Sequence, residues 1–186
     1  KGSSDKVTSY VTGLFNEVAT LYANENVNVK ISEIFIWTST SPYAGSSSSA
    51  MLSQFQNIRR SFNGDLGQLL SYQASGGIAV LDGLCHPYTA ARLSFSSINK
   101  TYRVIPNYSF SVMVVAHELG HLLGGSPLPP AALAARLHRP CSVGGHQSAG
   151  TVALAVRGGR RLFLAVRQAA YDGGSVAGRG RAADAA

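Results

Sequence analysis

Apolar side chains at Val7, Tyr10, Val11, Leu14, Phe15, Val18, Leu21 and Tyr22 recur three and four residues apart, which predicts an amphipathic helix over 3–23. Ser3 or Ser4 can cap its start. The polar stretch 24–28 breaks the stripe. Val27, Val29 and Ile31, followed by Ile34, Phe35, Ile36 and Trp37, predict a strand rich in β-branched and aromatic residues. A serine-rich loop over 38–49, containing Pro42 and Gly45, leads into a helix over 50–62 with Leu52, Phe55 and Ile58 on one side. Asn63-Gly64-Asp65 is a turn, 66–72 a short strand, and Ser75-Gly76-Gly77 leads into a further strand over 78–81. A short strand is expected at 102–105, before Pro106. The last strong pattern is a helix over 109–123, apolar at Val112, Val115, Ala116, Leu119, Leu122 and Leu123 and stopped by Gly124, Gly125 and Pro127. Helix and strand alternate, so the expected class is α/β (α+β).

Composition divides the chain at Gly124. All the Lys, Asn and Ile lie before it, and Ala, Gly and Arg dominate after it. Residues 1–124 are near charge balance, with eight Lys and Arg against seven Asp and Glu. Residues 125–186 hold eight Arg against two Asp, so +6 of the formal charge of +7 belongs to that tail. The switch runs from residues with A/T-rich codons to residues with G/C-rich ones. Translation in another reading frame produces such a switch, and so does a low-complexity linker. The expected organisation is therefore 1–124 as one unit and 125–186 as an irregular or disordered tail. Within the tail, 151–156 and 161–166 flank Arg157-Gly158-Gly159-Arg160 and suggest a hairpin. The tail has no aromatic interleaving or recognition motif, so no nucleic-acid partner is expected. No apolar run is long enough to span a membrane.

The chemistry concentrates in Ala116-His117-Glu118-Leu119-Gly120-His121-Leu122-Leu123-Gly124. Two histidines four residues apart stand one turn apart on a helix and can ligate one metal ion together. The expected ion is Zn²⁺, held by neutral imidazole nitrogens of His117 and His121. Glu118 is placed to act as general base toward a water activated by the metal. Peptide-bond hydrolysis is the reaction that suits this set. Catalytic zinc usually has three protein ligands, and no Glu follows Glu118 to serve as the third. His138 and His146 follow His121 at spacings that predict no shared geometry, and read as loop histidines.

The order of these features resembles the reprolysin-like (adamalysin-type) metzincin metallopeptidases over residues 3–126. The resemblance rests on the first helix and strand, on Gly64-Asp65-Leu66-Gly67-Gln68-Leu69-Leu70, and on Gly76-Gly77-Ile78-Ala79-Val80-Leu81-Asp82-Gly83-Leu84-Cys85. It rests above all on Val115-Ala116-His117-Glu118-Leu119-Gly120-His121. It implies the upper subdomain of that fold, a twisted mixed sheet with helices that include the zinc-binding active-site helix. It also implies a secreted, zinc-dependent endopeptidase, although no signal peptide opens this chain. Gly77, Ile78, Ala79 and Val80 resemble the family's edge strand, which would pair with an extended protein or peptide substrate. Cys85 would take Cys141 as its disulfide partner.

The chain also departs from the family. Pro127 stands where the third histidine is expected, and no Met follows Met113 to form the turn beneath the metal. Two functions are therefore carried forward. One is a zinc endopeptidase, inactive if nothing replaces the missing ligand. The other is a catalytically dead metzincin-fold protein that binds peptides without cutting them.

Overall fold

A computed structural model describes residues 4–37, 40–99, 110–124 and the backbone of 160–167. Three helices sandwich a five-stranded mixed sheet. In chain order the elements are α1 (Ser4–Asn24), β1 (Val29–Trp37), α2 (Ser48–Ile58), β2 (Leu66–Ser71), β3 (Gly77–Ala79), a 3₁₀ turn (Thr89–Arg92), β4 (Leu93–Ser97), α3 (Phe110–Leu123) and β5 (Arg160–Arg167). The mixed α/β class expected from the alternating pattern is the class observed.

The sheet order is β1-β5-β2-β4-β3. The first four strands run parallel, and β3 closes one edge antiparallel to β4. α1 and α3 cover one face. Their buried side chains Val11, Leu14, Val18, Val115, Leu119 and Leu122 pack with Leu66 and Leu70 of β2. α2 covers the other face, where Met51, Leu52 and Phe55 meet Leu69, Leu93, Phe95 and Tyr43. β2 thus points Leu66, Gln68 and Leu70 toward α1 and α3, and Leu69 toward α2, as the two-residue period of a strand requires.

The apolar pattern of β1 breaks that period. Val29 and Ile31 pack on the α1 side, and so do Ile34 and Ile36, three residues further along. A register shift against β5 between Ile31 and Glu33 accounts for it. Ser32 is the extra residue, and the bulge returns Ile34 and Ile36 to the face of Val29 and Ile31.

α2 begins two residues before its expected start, because Ser47 caps it with Oγ accepting the Ala50 amide at 3.2 Å. It ends at Ile58, short of the expected 62, and Arg59 lays its guanidinium 4.2 Å from the centre of the Phe35 ring. Just past the end of α1, Asn26 lies in the left-handed region (φ 59°), and the Val27 amide donates back to Tyr22 O at 2.9 Å.

Two expectations change. β4 was not anticipated. Its sequence, Leu-Ser-Phe-Ser-Ser, has no β-branched residue, yet all five positions are buried. The tail was expected to be irregular, with 161–166 as one arm of a hairpin. Arg160–Arg167 is instead a strand inside the sheet, paired with β1 along one edge and with β2 along the other. With both edges used, it has none left for a hairpin partner. Residues 102–105, Pro127, His138, Cys141, His146 and 151–156 lie outside the described residues.

Candidate metal and peptide site

α3 carries the His-Glu-x-x-His segment at its C-terminal end. The helix is apolar on the sides that meet α1 and the sheet, where Val112, Val115, Leu119 and Leu122 are buried. That packing leaves His117 exposed and His121 half-buried. The Nε2 atoms of the two rings lie 3.0 Å apart, and the rings meet edge to face at 4.5 Å between centres. One nitrogen can donate to the other when no ion is present. Both are close enough to sit at about 2.0–2.1 Å from a single ion. The pair supplies two of the donors a catalytic metal needs. Among the described residues no group of three His, Cys, Asp or Glu completes such a site.

Glu118 turns inward and is only 4 % exposed. Loss of solvent pushes its carboxyl above the ordinary carboxylate range, and His117 nearby pulls it partly back. The roof over this carboxylate is Gly77, the first residue of β3. A Cβ at Gly77 would stand 2.7 Å from Glu118 Cδ, so only glycine lets the strand lie this close to the acid. The structure therefore brings the expected base and the expected edge strand into direct contact.

β3 is the terminal strand of the sheet, which leaves one of its edges without a strand partner among the described residues. It spans Gly77, Ile78 and Ala79, and Val80 lies just past its end. Ala79 packs on the α3 side and Ile78 on the α2 side. The segment that follows is tied to the end of α3. The Asp82 amide donates to His121 O at 3.0 Å and the Leu84 amide to Leu122 O at 2.8 Å. These bonds satisfy carbonyls that a helix end leaves free. Gly124, with φ 105°, closes the helix, and its amide also donates to His121 O. The second histidine is thereby held by the same loop that extends the edge strand. Cys85, further along that loop, is engaged in a disulfide. Its expected partner, Cys141, lies outside the described residues.

Sequence reasoning left out the supports beneath the site. Gln68 and Ser96 are buried under α3, and Tyr22 reaches it from α1. A polar Gln on the inner face of a strand otherwise filled by Leu66 and Leu70 was the available signal.

The reprolysin model of metallo-peptidase family M12 matches residues 1–126, two thirds of the chain. The chain belongs to metallopeptidase family M12. A search of the curated proteins returned no match. The M12 match ends just past Gly124, where the composition also changes. It covers α1 to α3 and the whole His-Glu-x-x-His segment, and leaves β5 outside. Membership makes a metal-dependent peptidase the activity class and peptides the substrate class. No described helix is long and apolar enough to cross a membrane.

Proposed function

We propose that this M12 chain is a zinc endopeptidase in which His117 and His121 hold the ion and Glu118 acts as general base. The observation that carries the reading is the junction of α3 with β3. It sets a buried carboxylate against the edge strand, one residue from an exposed imidazole whose Nε2 meets a second at 3.0 Å. When bound, zinc supplies the polarisation that makes a scissile carbonyl electrophilic and a water acidic. The chain does the rest. The outer edge of Gly77, Ile78 and Ala79, which no described strand occupies, pairs with an extended substrate backbone, as a further strand would. Glu118 accepts the proton of the attacking water and returns it to the leaving amine. The raised pKa of its carboxyl makes it a stronger base toward that water.

Cys85 is proposed to pair with Cys141, and the protein to work outside the cell, where disulfides persist. Peptide mapping under non-reducing conditions tests the pairing.

The deciding measurement is zinc content together with cleavage of a quenched peptide library. The full chain should carry zinc and cut peptides, and chelation should stop the cutting. His121→Ala should lose both. Equal, negligible zinc in the two proteins would remove the metal reading. A second reading is favoured by Pro127, which stands where the family's third histidine is expected. In it the chain binds extended peptides at β3 without cutting them. Saturable peptide binding with no cleavage in the presence of added zinc would select this second reading.

Gly77→Ala gives a further prediction. The added methyl must displace Glu118 or lift β3, and a misplacement near 1 Å costs up to about 10²-fold in rate. The loss should appear in kcat on a peptide substrate. Unchanged kcat would mean that the strand need not lie against the carboxylate.

A further inference from the structure

The turn of α3 that bears His117 and Glu118 is gripped from two directions by side chains with no part in the proposed chemistry. From α1, the Tyr22 phenol donates to Ala116 O at 2.7 Å. From β2, Gln68 Nε2 donates to Ser96 Oγ at 2.8 Å and to Val115 O at 3.3 Å. Ser96 Oγ itself stands 3.5 Å from Val114 O, at the outer limit of hydrogen bonding. Helix geometry already engages the carbonyls of residues 114, 115 and 116 with the amides of 118, 119 and 120. The extra donors thus fall on the carbonyls that support the His117–Gly120 turn. Gly120 makes room for one of them, since a Cβ there would stand 3.2 Å from the Tyr22 oxygen.

This arrangement costs stability. Gln68 and Ser94, cross-strand partners on β2 and β4, are both 0 % exposed, and Gln68 Oε1 and Ser94 Oγ have no hydrogen-bond partner among the described residues. Leucines occupy the flanking positions of that face, and a leucine at 68 would avoid the penalty of an unpaired buried amide oxygen. What leucine would lack is direction. A hydrogen bond is directional and so fixes the rotation and height of a helix more narrowly than non-directional apolar contact does.

We propose that Tyr22 and Gln68 are positioning residues. They clamp α3 so that His117 and His121 converge while Glu118 stays under β3. The proposal rests on the metal-site reading of the preceding subsection.

The test is Co²⁺ binding to the full chain, followed by titration and by the visible ligand-field absorption. Tyr22→Phe and Gln68→Leu are compared with Phe55→Leu, which trims a fully buried core residue on the α2 face. Both clamp variants should bind Co²⁺ on the order of tenfold more weakly, as second-layer substitutions around metal ligands do. Their absorption bands should shift, and Gln68→Leu should keep or gain thermal stability. Phe55→Leu should lower Tm yet leave affinity and spectrum as in the parent. Clamp variants that match the parent in both affinity and spectrum would overturn the proposal while leaving the metal site intact. A parent chain that takes up no Co²⁺ would overturn the metal reading, and the clamp with it. Having two variants on different elements guards against one failing to fold.

Discussion

Glu118→Gln is expected to lower peptide hydrolysis by about 10²- to 10⁴-fold, the usual contribution of a positioned general base. Metal content should stay at the parental level, because the substitution spares both imidazoles. The same variant should behave differently in stability. Burial lifts the Glu118 carboxyl above its ordinary value of 4.5 in the folded chain, so the folded state holds this proton more tightly than the unfolded one. The resulting stabilisation is complete below the unfolded value and is lost as pH rises through the folded one. Glutamine has nothing to ionise. In metal-free protein the Tm of Glu118→Gln should therefore gain on the parent as pH rises from about 4 to about 7. A thermal scan at both pH values, beside a peptide assay with metal added, checks the two halves separately. Full activity in the variant would remove Glu118 from the chemistry. A Tm difference that does not change with pH would mean the carboxyl is not strained by burial.

Leu164→Pro should be the most damaging change to the fold outside the helices. Leu164 lies mid-strand in β5, beside Ile34 of β1 and Gln68 of β2. In a central parallel strand each amide donates to one neighbour or the other, so proline at any interior position removes a ladder bond. A backbone acceptor within the sheet loses its partner, which costs about 1–3 kcal/mol where it is shielded from water, and the ring adds steric strain. For a chain of this length that corresponds to a Tm lower by on the order of 5–10 °C. Differential scanning calorimetry of the full chain measures it. An unchanged Tm would show that β5 is not held in the native sheet. The result matters beyond stability, because β5 separates β1 from β2. On that model, β1 would lack any strand partner among the described residues without it.

The positions of the candidate chemistry follow from local pattern. His117, Glu118 and His121 are set by helical spacing, and the apolar residues around them sufficed to predict a helix that is observed over Phe110–Leu123. α1 was equally legible, because its apolar stripe runs unbroken from Val7 to Tyr22. Where the pattern was short or mixed, legibility fell. β4 escaped notice because serines fill three of its five positions; in the folded chain Ser96 Oγ accepts from Gln68 and Ser97 Oγ donates to Ala74 O. The odd spacing in β1 could be seen in the sequence, but its cause is a bulge that exists only in the paired strand.

By itself, then, the sequence determined the helices, most of the strands, the two facing imidazoles and the family, since each depends on residues near one another along the chain. Tertiary structure alone decided the rest. It buried Glu118 beneath Gly77, made β3 the terminal strand of the sheet among the described residues, placed Tyr22 and Gln68 against the turn that carries His117 and Glu118, and inserted Arg160–Arg167 between β1 and β2. The physical reason is separation along the chain. Glu118 and Gly77 lie 41 residues apart, and Ala116 accepts a hydrogen bond from Tyr22 across 94. Periodicity carries no information over such distances, and the contacts exist only once the layers have packed.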